Sequence, residues 1–210
     1  MTVSTAPGWY GKLPTLGDFA SRRLEADWIQ PWDTWLATGL QALREASPDG
    51  WLDHYLASPA WRFVLMPGAL PMASNWGDSR VQVGVLVPSV DRVGRYFPLV
   101  VVSPPLAAPT HAGQAQALWQ WAGQLQDIAV AALHDDWLPE QLDQTLASVA
   151  QPPDVPGTPP EPWALVCHQA AWQALQGHSL WFSSDGVRAP LTAAGLPSGA
   201  SFASLFTPAS

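Results

Sequence analysis

Two segments of the sequence place charged side chains and glycines in loops beside strands, and these are the places where polar chemistry is conceivable. The first segment is Gly11–Phe19, which contains Lys12, Gly17, Asp18 and Phe19. Glycine and aspartate both suit tight turns, so the end of this segment is predicted to be a loop. With a cation and a carboxylate together, the segment forms either a contact surface for another molecule or a purely structural bend.

The second segment is Pro88–Pro98, and it carries Asp91, Arg92, Gly94 and Arg95. The planar guanidinium of arginine binds carboxylates and phosphates with two hydrogen bonds, so this loop is a candidate anion site or partner-binding surface. Glycine at position 94 allows a turn that a Cβ would hinder, and we expect both arginines to be presented on a rigid hairpin. Alternatively, the aspartate and the arginines pair with each other or with loop carbonyls and only brace the hairpin.

No other group of residues forms a recognisable catalytic motif. The sequence lacks the phosphate-binding loop, the dinucleotide fingerprint, the serine nucleophile elbow and the zinc-protease helix. The cluster at 134–136 (His-Asp-Asp) has metal-ligand chemistry, but histidine at a helix C-terminus is favoured by the helix dipole without a metal. Cys167 and His168 are adjacent, and the side chains of sequence neighbours point apart in most backbones. The apolar run before Cys167 favours a buried, inert thiol. We therefore expect no enzyme activity, metal, cofactor or small-molecule substrate, and only structural or interface roles for Asp18 and Asp91.

The charge distribution limits the classes of partner. The net charge is −8, only 12% of the 210 residues are charged, and eight of the nine basic residues precede position 96. Nucleic acids and anionic membranes require a positive footprint, so neither is expected as a partner. The weakly charged surface favours a protein interface; a surface covered by Ala, Gln, Ser and Pro is the alternative.

Features of the termini, the cysteine content and the hydropathy indicate the compartment. The single cysteine excludes an internal disulfide framework. The segment Met1–Pro7 has neither the basic nor the apolar region of a signal peptide, and no apolar stretch reaches the roughly 18 residues of a membrane span. A cytoplasmic protein without a membrane span is the expectation.

Periodicity predicts strands and helices in alternation. A helix is predicted over Asp27–Ala46, with Asp27 as its N-cap and Pro31 in its first turn. An apolar stripe between Leu118 and Leu133 predicts the clearest helix of the chain. Shorter helices are predicted at Trp51–Leu56, Pro139–Val149 and His168–Leu175, and strands at Gly8–Pro14, Trp61–Pro67, Arg80–Val87, Tyr96–Val102 and Ser179–Phe182. Pro98 lies in the predicted strand Tyr96–Val102, which is therefore either an edge strand or a strand that begins at this proline.

These elements predict one α/β domain over residues 1–210, with a mixed or largely antiparallel sheet flanked by amphipathic helices in an α/β/α-like arrangement. The short connection between the strands of 80–102 favours a hairpin. Residues 151–162 contain six prolines and form an extended connector. The 48 residues that follow, 163–210, are too few to fold alone, so they are expected to pack back on the main body.

Several ordered motifs resemble the TagF (ImpM) family of type VI secretion proteins. The similarity is strong over residues 8–103 and includes the sequence around Trp9-Tyr10-Gly11-Lys12-Leu13-Pro14 and Gly17-Asp18-Phe19. It extends through Pro31-Trp32-Asp33, Trp61-Arg62-Phe63, the segment Gly84–Leu99 and, late in the chain, Ser179-Leu180-Trp181-Phe182.

The resemblance implies an accessory regulator that represses type VI secretion after translation by binding a forkhead-associated scaffold protein. Some relatives carry a phosphatase domain, but nothing in this sequence implies phosphatase activity, and the family has no accepted catalytic residues. Two alternatives stay open: a structural or assembly component of the secretion apparatus, and an uncharacterised enzyme that uses the aspartate and arginine loops.

Overall fold

The structure is a computed structural model that describes residues 6–70, 80–150 and 154–207. Within these ranges it contains eight strands: β1 Gly8–Gly11, β2 Ala20–Arg22, β3 Trp61–Leu65, β4 Arg80–Val87, β5 Leu99–Val102, β6 Leu106–Ala107, β7 His178–Ser183 and β8 Leu191–Ala194. The α-helices are α1 Ala26–Ala46, α2 Trp51–Leu56, α3 Ala112–His134, α4 Pro139–Ser148, α5 Gln169–Leu175 and α6 Ala200–Phe206, and a 3-10 helix spans Trp163–Cys167.

All strand pairs of the sheet are antiparallel. Seven strands follow the order β2-β1-β5-β4-β3-β7-β8, and β6 pairs with the first residues of β4. The expected fold class, an α/β domain with a largely antiparallel sheet flanked by helices, is confirmed. The hairpin of β4 and β5 is also confirmed, since Gly84 lies opposite Val102 and Val87 opposite Leu99.

The helix α1 agrees with its predicted apolar stripe but not with its predicted start. It buries Trp28, Trp32, Leu36, Leu40 and Leu43 on one face. The predictions for its first turn were wrong: the N-cap is the residue at 25, so Asp27 lies inside the first turn, and the proline at 31 is the sixth residue of the helix. An acidic residue in the first turn still interacts favourably with the helix dipole.

Both faces of the sheet are buried. Residues of β4 after Arg80 are all buried, and its valines at 81, 83, 85 and 87 face the helices α3 and α4. The opposite side of the strand presents Leu86 to the cluster that contains α1 and α6. Gln82 is buried among these side chains, where it accepts a hydrogen bond from Trp28 Nε1 (3.1 Å) and donates one to the Ser103 carbonyl (2.9 Å).

The strand after the arginine-containing loop begins later than predicted. Tyr96 forms only an isolated bridge with Val90, and β5 starts at Leu99, directly after Pro98. Because β5 lies between β1 and β4, the edge-strand alternative is wrong and the proline stands where the strand begins. A proline has no N–H to donate to a neighbouring strand, which accounts for the delayed start.

The segment after the connector contributes to the same sheet. The strand β7 pairs with β3 along its length, and β8 forms the edge beyond it. Trp163 and Trp181 are fully buried. The connector is described from residue 154 onward; its first three residues, 151–153, lie outside the described residues, as do the extreme termini, 1–5 and 208–210. The sequence did not predict β2, β6, β8 or α6.

Candidate functional site

The two charged segments lie side by side because of the strands that hold them. The first segment leaves β1 and the second leads into β5, and these two strands are antiparallel neighbours. Among the hydrogen bonds that join the segments directly, Arg92 N donates to the Leu16 carbonyl (2.8 Å) and Ser89 Oγ donates to the Lys12 carbonyl (2.8 Å). The segments therefore form one double loop.

Asp91 is the centre of the double loop. Its side chain is buried, and its Oδ2 accepts hydrogen bonds from Lys12 Nζ (2.6 Å) and Arg95 Nε (2.7 Å). Its Oδ1 accepts two more from the backbone N–H groups of Val93 (3.0 Å) and Arg95 (2.9 Å). Every donor comes from within the double loop, so this carboxylate determines its shape.

The hydrogen bonds also determine the ionisation of this carboxylate. Burial alone would raise the pKa of Asp91, because a charged group is disfavoured away from water. The hydrogen bonds from Lys12 and Arg95, together with those from the backbone, outweigh burial and hold the pKa of Asp91 well below its ordinary value. Asp91 is therefore a carboxylate whose acceptor positions are occupied, which makes it a poor general base.

Arg95 braces the loop while part of its guanidinium remains exposed. Its Nε pairs with Asp91, its Nη2 donates to the Gly17 carbonyl, and about 55% of the side chain is accessible to solvent. Gly94 has a φ of +83°, in the left-handed region where a Cβ is disfavoured, and its N–H donates to the Asp91 carbonyl (3.0 Å). Glycine at 94 thus closes the tight turn around the carboxylate.

Arg92 and Val93 form the outer surface of the double loop, which we call the crest. Both residues are exposed, and the Val93 side chain is 64% accessible. Among the residues that the structure describes, the Arg92 side chain has no ion-pair partner. Asp18 is also exposed, and its Oδ1 accepts a hydrogen bond from the Phe19 N–H (2.8 Å).

Aromatic rings support the double loop from beneath. Phe19 stacks on Tyr10, with the ring centroids 5.7 Å apart, and packs edge-on against Phe97 at 4.8 Å. Lys12 Nζ lies 4.7 Å from the centroid of the Phe19 ring. Phe19 is nevertheless 42% exposed, so one side of this aromatic group remains available to a partner.

Sequence comparison decides the family. A family model described as the TagF N-terminal domain, type VI secretion system-associated, matches residues 8–149, which include the whole double loop. The chain belongs to the TagF family. The crystal structure of PA0076 from Pseudomonas aeruginosa PAO1 is similar to it, with 32% sequence identity and a TM-score of 0.73 over 96% of this chain and 94% of that chain. No curated protein matches the chain.

The family match confirms the resemblance that the motifs indicated, and it associates this TagF protein with type VI secretion. None of the helices in the described ranges is both long and apolar enough to cross a membrane. Neither the match nor the similar structure assigns a role to an individual residue, so the roles of the loop residues are argued from their geometry.

The structure brings most of the predicted site residues together but gives them different environments. Lys12, Asp91 and Arg95 form one ion-pair network, and Gly17 joins it through its carbonyl. We expected the loop arginines to act alike, and they do not: bracing describes Arg95, whereas presentation to solvent describes Arg92. Lys12 is 3% exposed and is not a surface cation.

Sequence reasoning missed Tyr55 and Ser89, which anchor the base of the double loop. The Tyr55 hydroxyl donates to the Ser89 carbonyl (2.9 Å) and accepts from the Ser89 N–H (2.9 Å). Burial raises the pKa of Tyr55 far above its ordinary value, so the hydroxyl keeps its proton as a donor. The two residues are 34 positions apart, and no local pattern signals their pairing.

The other candidates of the sequence lie away from the double loop. His134 and Asp135 are exposed at the end of α3, 3.9 Å apart, and no group of three or more possible metal ligands occurs in the described part of the chain. Cys167 is half-buried in the 3-10 helix, and burial raises the pKa of its thiol. His168, its neighbour, is exposed.

Proposed function

We propose that this TagF protein restrains type VI secretion after translation by binding a forkhead-associated scaffold protein in the cytoplasm, without catalysing a reaction. The observation that carries the proposal is the crest, where Arg92 and Val93 project from a loop that internal hydrogen bonds hold in one shape. Arginine is enriched in protein interfaces and among the residues that contribute most of their affinity.

The rigidity of the double loop supports a binding role. Ordering a flexible loop on association costs free energy, and a loop that is already ordered avoids most of that cost. Asp91 supplies the order here, because it accepts hydrogen bonds from the backbone N–H groups of Val93 and Arg95 and from Lys12 Nζ in the other segment. In this proposal Asp91 shapes the binding surface, and Arg92 contacts the partner.

The same geometry argues for a role without turnover. Nucleophilic or acid–base catalysis needs a group with an accessible lone pair or proton and a partner that orients it. The acceptor positions of Asp91 are occupied, and Asp18 hydrogen bonds to the N–H of its own neighbour. Neither carboxylate is placed beside a histidine, serine or cysteine nucleophile in the described hydrogen-bond network.

Copurification from the native host tests the proposal. An affinity-tagged chain should capture the scaffold from the cytoplasmic fraction in a stable complex, and deleting its gene should raise type VI secretion while transcript levels stay unchanged. Recovery of the chain as a stoichiometric part of the assembled apparatus would instead favour the structural-component alternative. A robust hydrolase or transferase activity abolished by Asp18→Ala or Asp91→Ala would favour the enzyme.

A further inference from the structure

A second surface with recognition chemistry lies next to the double loop. A groove of about 830 Å³ runs between the exposed side of α1 and the loop residues Gly94 and Arg95, and it is open to solvent. Its lining includes Arg44 near the end of α1 and Trp51 at the start of α2. We call it the Arg44 groove; neither the family match nor the similar structure assigns a role to it.

Two arginines of the groove, Arg44 and Arg95, are placed to contact an incoming anion. Arg44 lies 4.3 Å from the centroid of the Trp51 ring, and among the described residues it has no ion-pair partner. Arg95 is half exposed on the opposite side. The one acidic residue of the lining, Asp33, accepts a hydrogen bond from the Tyr10 hydroxyl.

This concentration of positive charge stands out in an acidic protein. The chain has nine basic and 17 acidic residues, yet Lys12, Arg44 and Arg95 all line this one groove, and Arg92 lies on the adjacent crest. Lys12 is neutralised by Asp91, whereas the guanidinium of Arg44 is held in place by its aromatic neighbour. A cation held over a ring is pre-oriented and retains its hydrogen-bond donors.

Aromatic surface occupies the rest of the groove. Trp51 packs edge-on against Tyr96, with the centroids 6.0 Å apart, and the 42% exposed ring of Phe19 forms part of the opposite side. The volume lies in the range of about 300–1,000 Å³ that small-ligand sites occupy, but an open groove accommodates a continuous chain better than an enclosed metabolite. Its occupant should therefore combine carboxylates with a large apolar side chain.

We propose that the Arg44 groove binds an acidic peptide segment of the partner protein, with Arg44 and Arg95 contacting carboxylates and Phe19 and Trp51 contacting an adjacent apolar side chain. The inference rests on the proposed function for the identity of the partner, a forkhead-associated scaffold. The peptide chemistry itself follows from the charge and the rings of the groove, so the two proposals fail separately.

Selection from a random-peptide phage library against the purified chain tests the groove directly. Binders should be enriched in sequences that place Asp or Glu beside an aromatic residue or leucine. A synthetic consensus peptide, measured by fluorescence anisotropy, should bind Arg44→Glu at least about tenfold more weakly than wild type, with affinity that falls as salt rises. Exchanging its carboxylates for amides should have the same effect.

The matched control is Arg80→Glu, an exposed arginine at the opposite end of β4 whose Nη1 donates to the Pro105 carbonyl. It should bind the consensus peptide as wild type does. Arg44→Gln serves as a second variant if the charge reversal unfolds the chain, and circular dichroism checks both. A selection without an acidic consensus, or a consensus peptide that binds folded Arg44→Glu and Arg44→Gln as tightly as wild type, would overturn the inference.

The purified scaffold then separates the two proposals. If the scaffold binds wild type and the consensus peptide competes with it, both proposals are supported. If the scaffold binds Arg44→Glu as tightly as wild type, the groove inference is wrong while the proposed function stands. If the peptide binds through Arg44 but the scaffold does not bind at all, the groove is an acidic-peptide site and the proposed function is wrong.

Discussion

The two faces of the sheet differ in the side chains that cover them. On the side of α1 and α6, ten of the twenty buried core residues are aromatic, whereas on the side of α3 and α4 only four of twenty-five are. Small residues of α3, such as Ala115, Ala122 and Ala129, bring that helix close to the valines of β4. Two grooves among the described residues, of about 550 and 830 Å³, both border α1 on the aromatic side of the sheet.

In the proposed function, the aliphatic face is the scaffold and the aromatic face carries the recognition surface. Close-packed Ala and Val side chains pay little conformational entropy and leave few gaps. Aromatic rings present large areas that serve equally well in cores and at interfaces. The double loop lies at the border of the aromatic face, where Phe97 and Phe19 continue that ring cluster to the surface.

The largest expected loss of stability comes from removing a ring of the aromatic face. The Trp181 ring packs against Phe63 and Trp35, with ring centroids 5.1 Å and 5.6 Å apart. Its Nε1 donates to Ser179 Oγ (2.8 Å). Trp181→Ala should lower the free energy of unfolding by about 3–5 kcal/mol. The measurement is urea denaturation followed by circular dichroism, with Val187→Ala, at a 76% exposed position, as the control that should change it by less than about 0.5 kcal/mol.

Substitution by leucine makes the comparison between the faces quantitative. Trp121 is fully buried on the aliphatic side, and its Nε1 has no hydrogen-bond partner among the described residues. Trp181→Leu loses ring pairs and a hydrogen bond that Trp121→Leu does not, so it should cost roughly 1–2 kcal/mol more. Equal costs for the two leucine variants would contradict the distinction between an aromatic and an aliphatic core.

A methyl group added to the centre of the aromatic face should cost less. A Cβ on Gly84 would lie 2.4 Å from Phe63 Cζ and 2.5 Å from the Val101 carbonyl oxygen, which is backbone and cannot move aside. Gly84→Ala should therefore destabilise the fold by about 1–3 kcal/mol. Gly17→Ala is the control in the double loop: its Cβ would meet Arg92 Nη2 at 3.7 Å, an ordinary contact, and the thermal midpoint should hardly change.

The next prediction concerns how the stability provided by Asp91 changes at acidic pH. The pKa of Asp91 is lower in the folded chain than the ordinary value of about 3.9, so the stability that this carboxylate provides is complete above about pH 5. It should be lost as the pH falls through the ordinary value toward the folded pKa. Asp91→Asn should be less stable than wild type at pH 7, and the gap should narrow as the pH falls from about 5 to 2 in denaturation series. A gap that is constant over that range would mean that the carboxylate charge does not brace the loop.

The fold was more predictable from the sequence than the site. The apolar stripes of α1 and α3 and the valine alternation of β4 are long enough to predict which residues face the core. The unpredicted elements are short or marginal: β2 has three residues, β6 has two, and β8 has a single large apolar residue at the sheet edge. Their formation depends on neighbouring strands, which a local pattern does not contain.

For the site, local spacing could indicate the contacts within the second segment but not those between the two segments. Asp91 and Arg95 are four residues apart in one turn, so their pairing was one of the alternatives that the sequence left open. The partner that buries the carboxylate, Lys12, is 79 positions away, and only the pairing of β1 with β5 brings it there. Arg92 and Arg95 are the same residue type in the same loop, and only the contacts of Arg95 with Asp91 and the Gly17 carbonyl in the folded chain distinguish them.

The smallest expected effect on stability concerns Arg92. Since its side chain has no ion-pair partner in the described ranges and is exposed, Arg92→Glu should change the free energy of unfolding by less than about 0.5 kcal/mol. Arg95→Glu should be more destabilising, because it places a second carboxylate beside buried Asp91. Thermal melts of both variants at pH 7 check the order, and a larger loss for Arg92→Glu would contradict the assignment of bracing to Arg95.

The most direct test of the central claim is the affinity of the purified forkhead-associated scaffold for Arg92→Glu, measured by biolayer interferometry beside wild type and Arg80→Glu. We expect Arg92→Glu to keep the wild-type melting temperature and to bind at least about tenfold more weakly, since reversal of an interfacial charge replaces an attraction by a repulsion. Arg80→Glu should bind as wild type does. Wild-type affinity of a folded Arg92→Glu chain would contradict the claim that the crest contacts the partner.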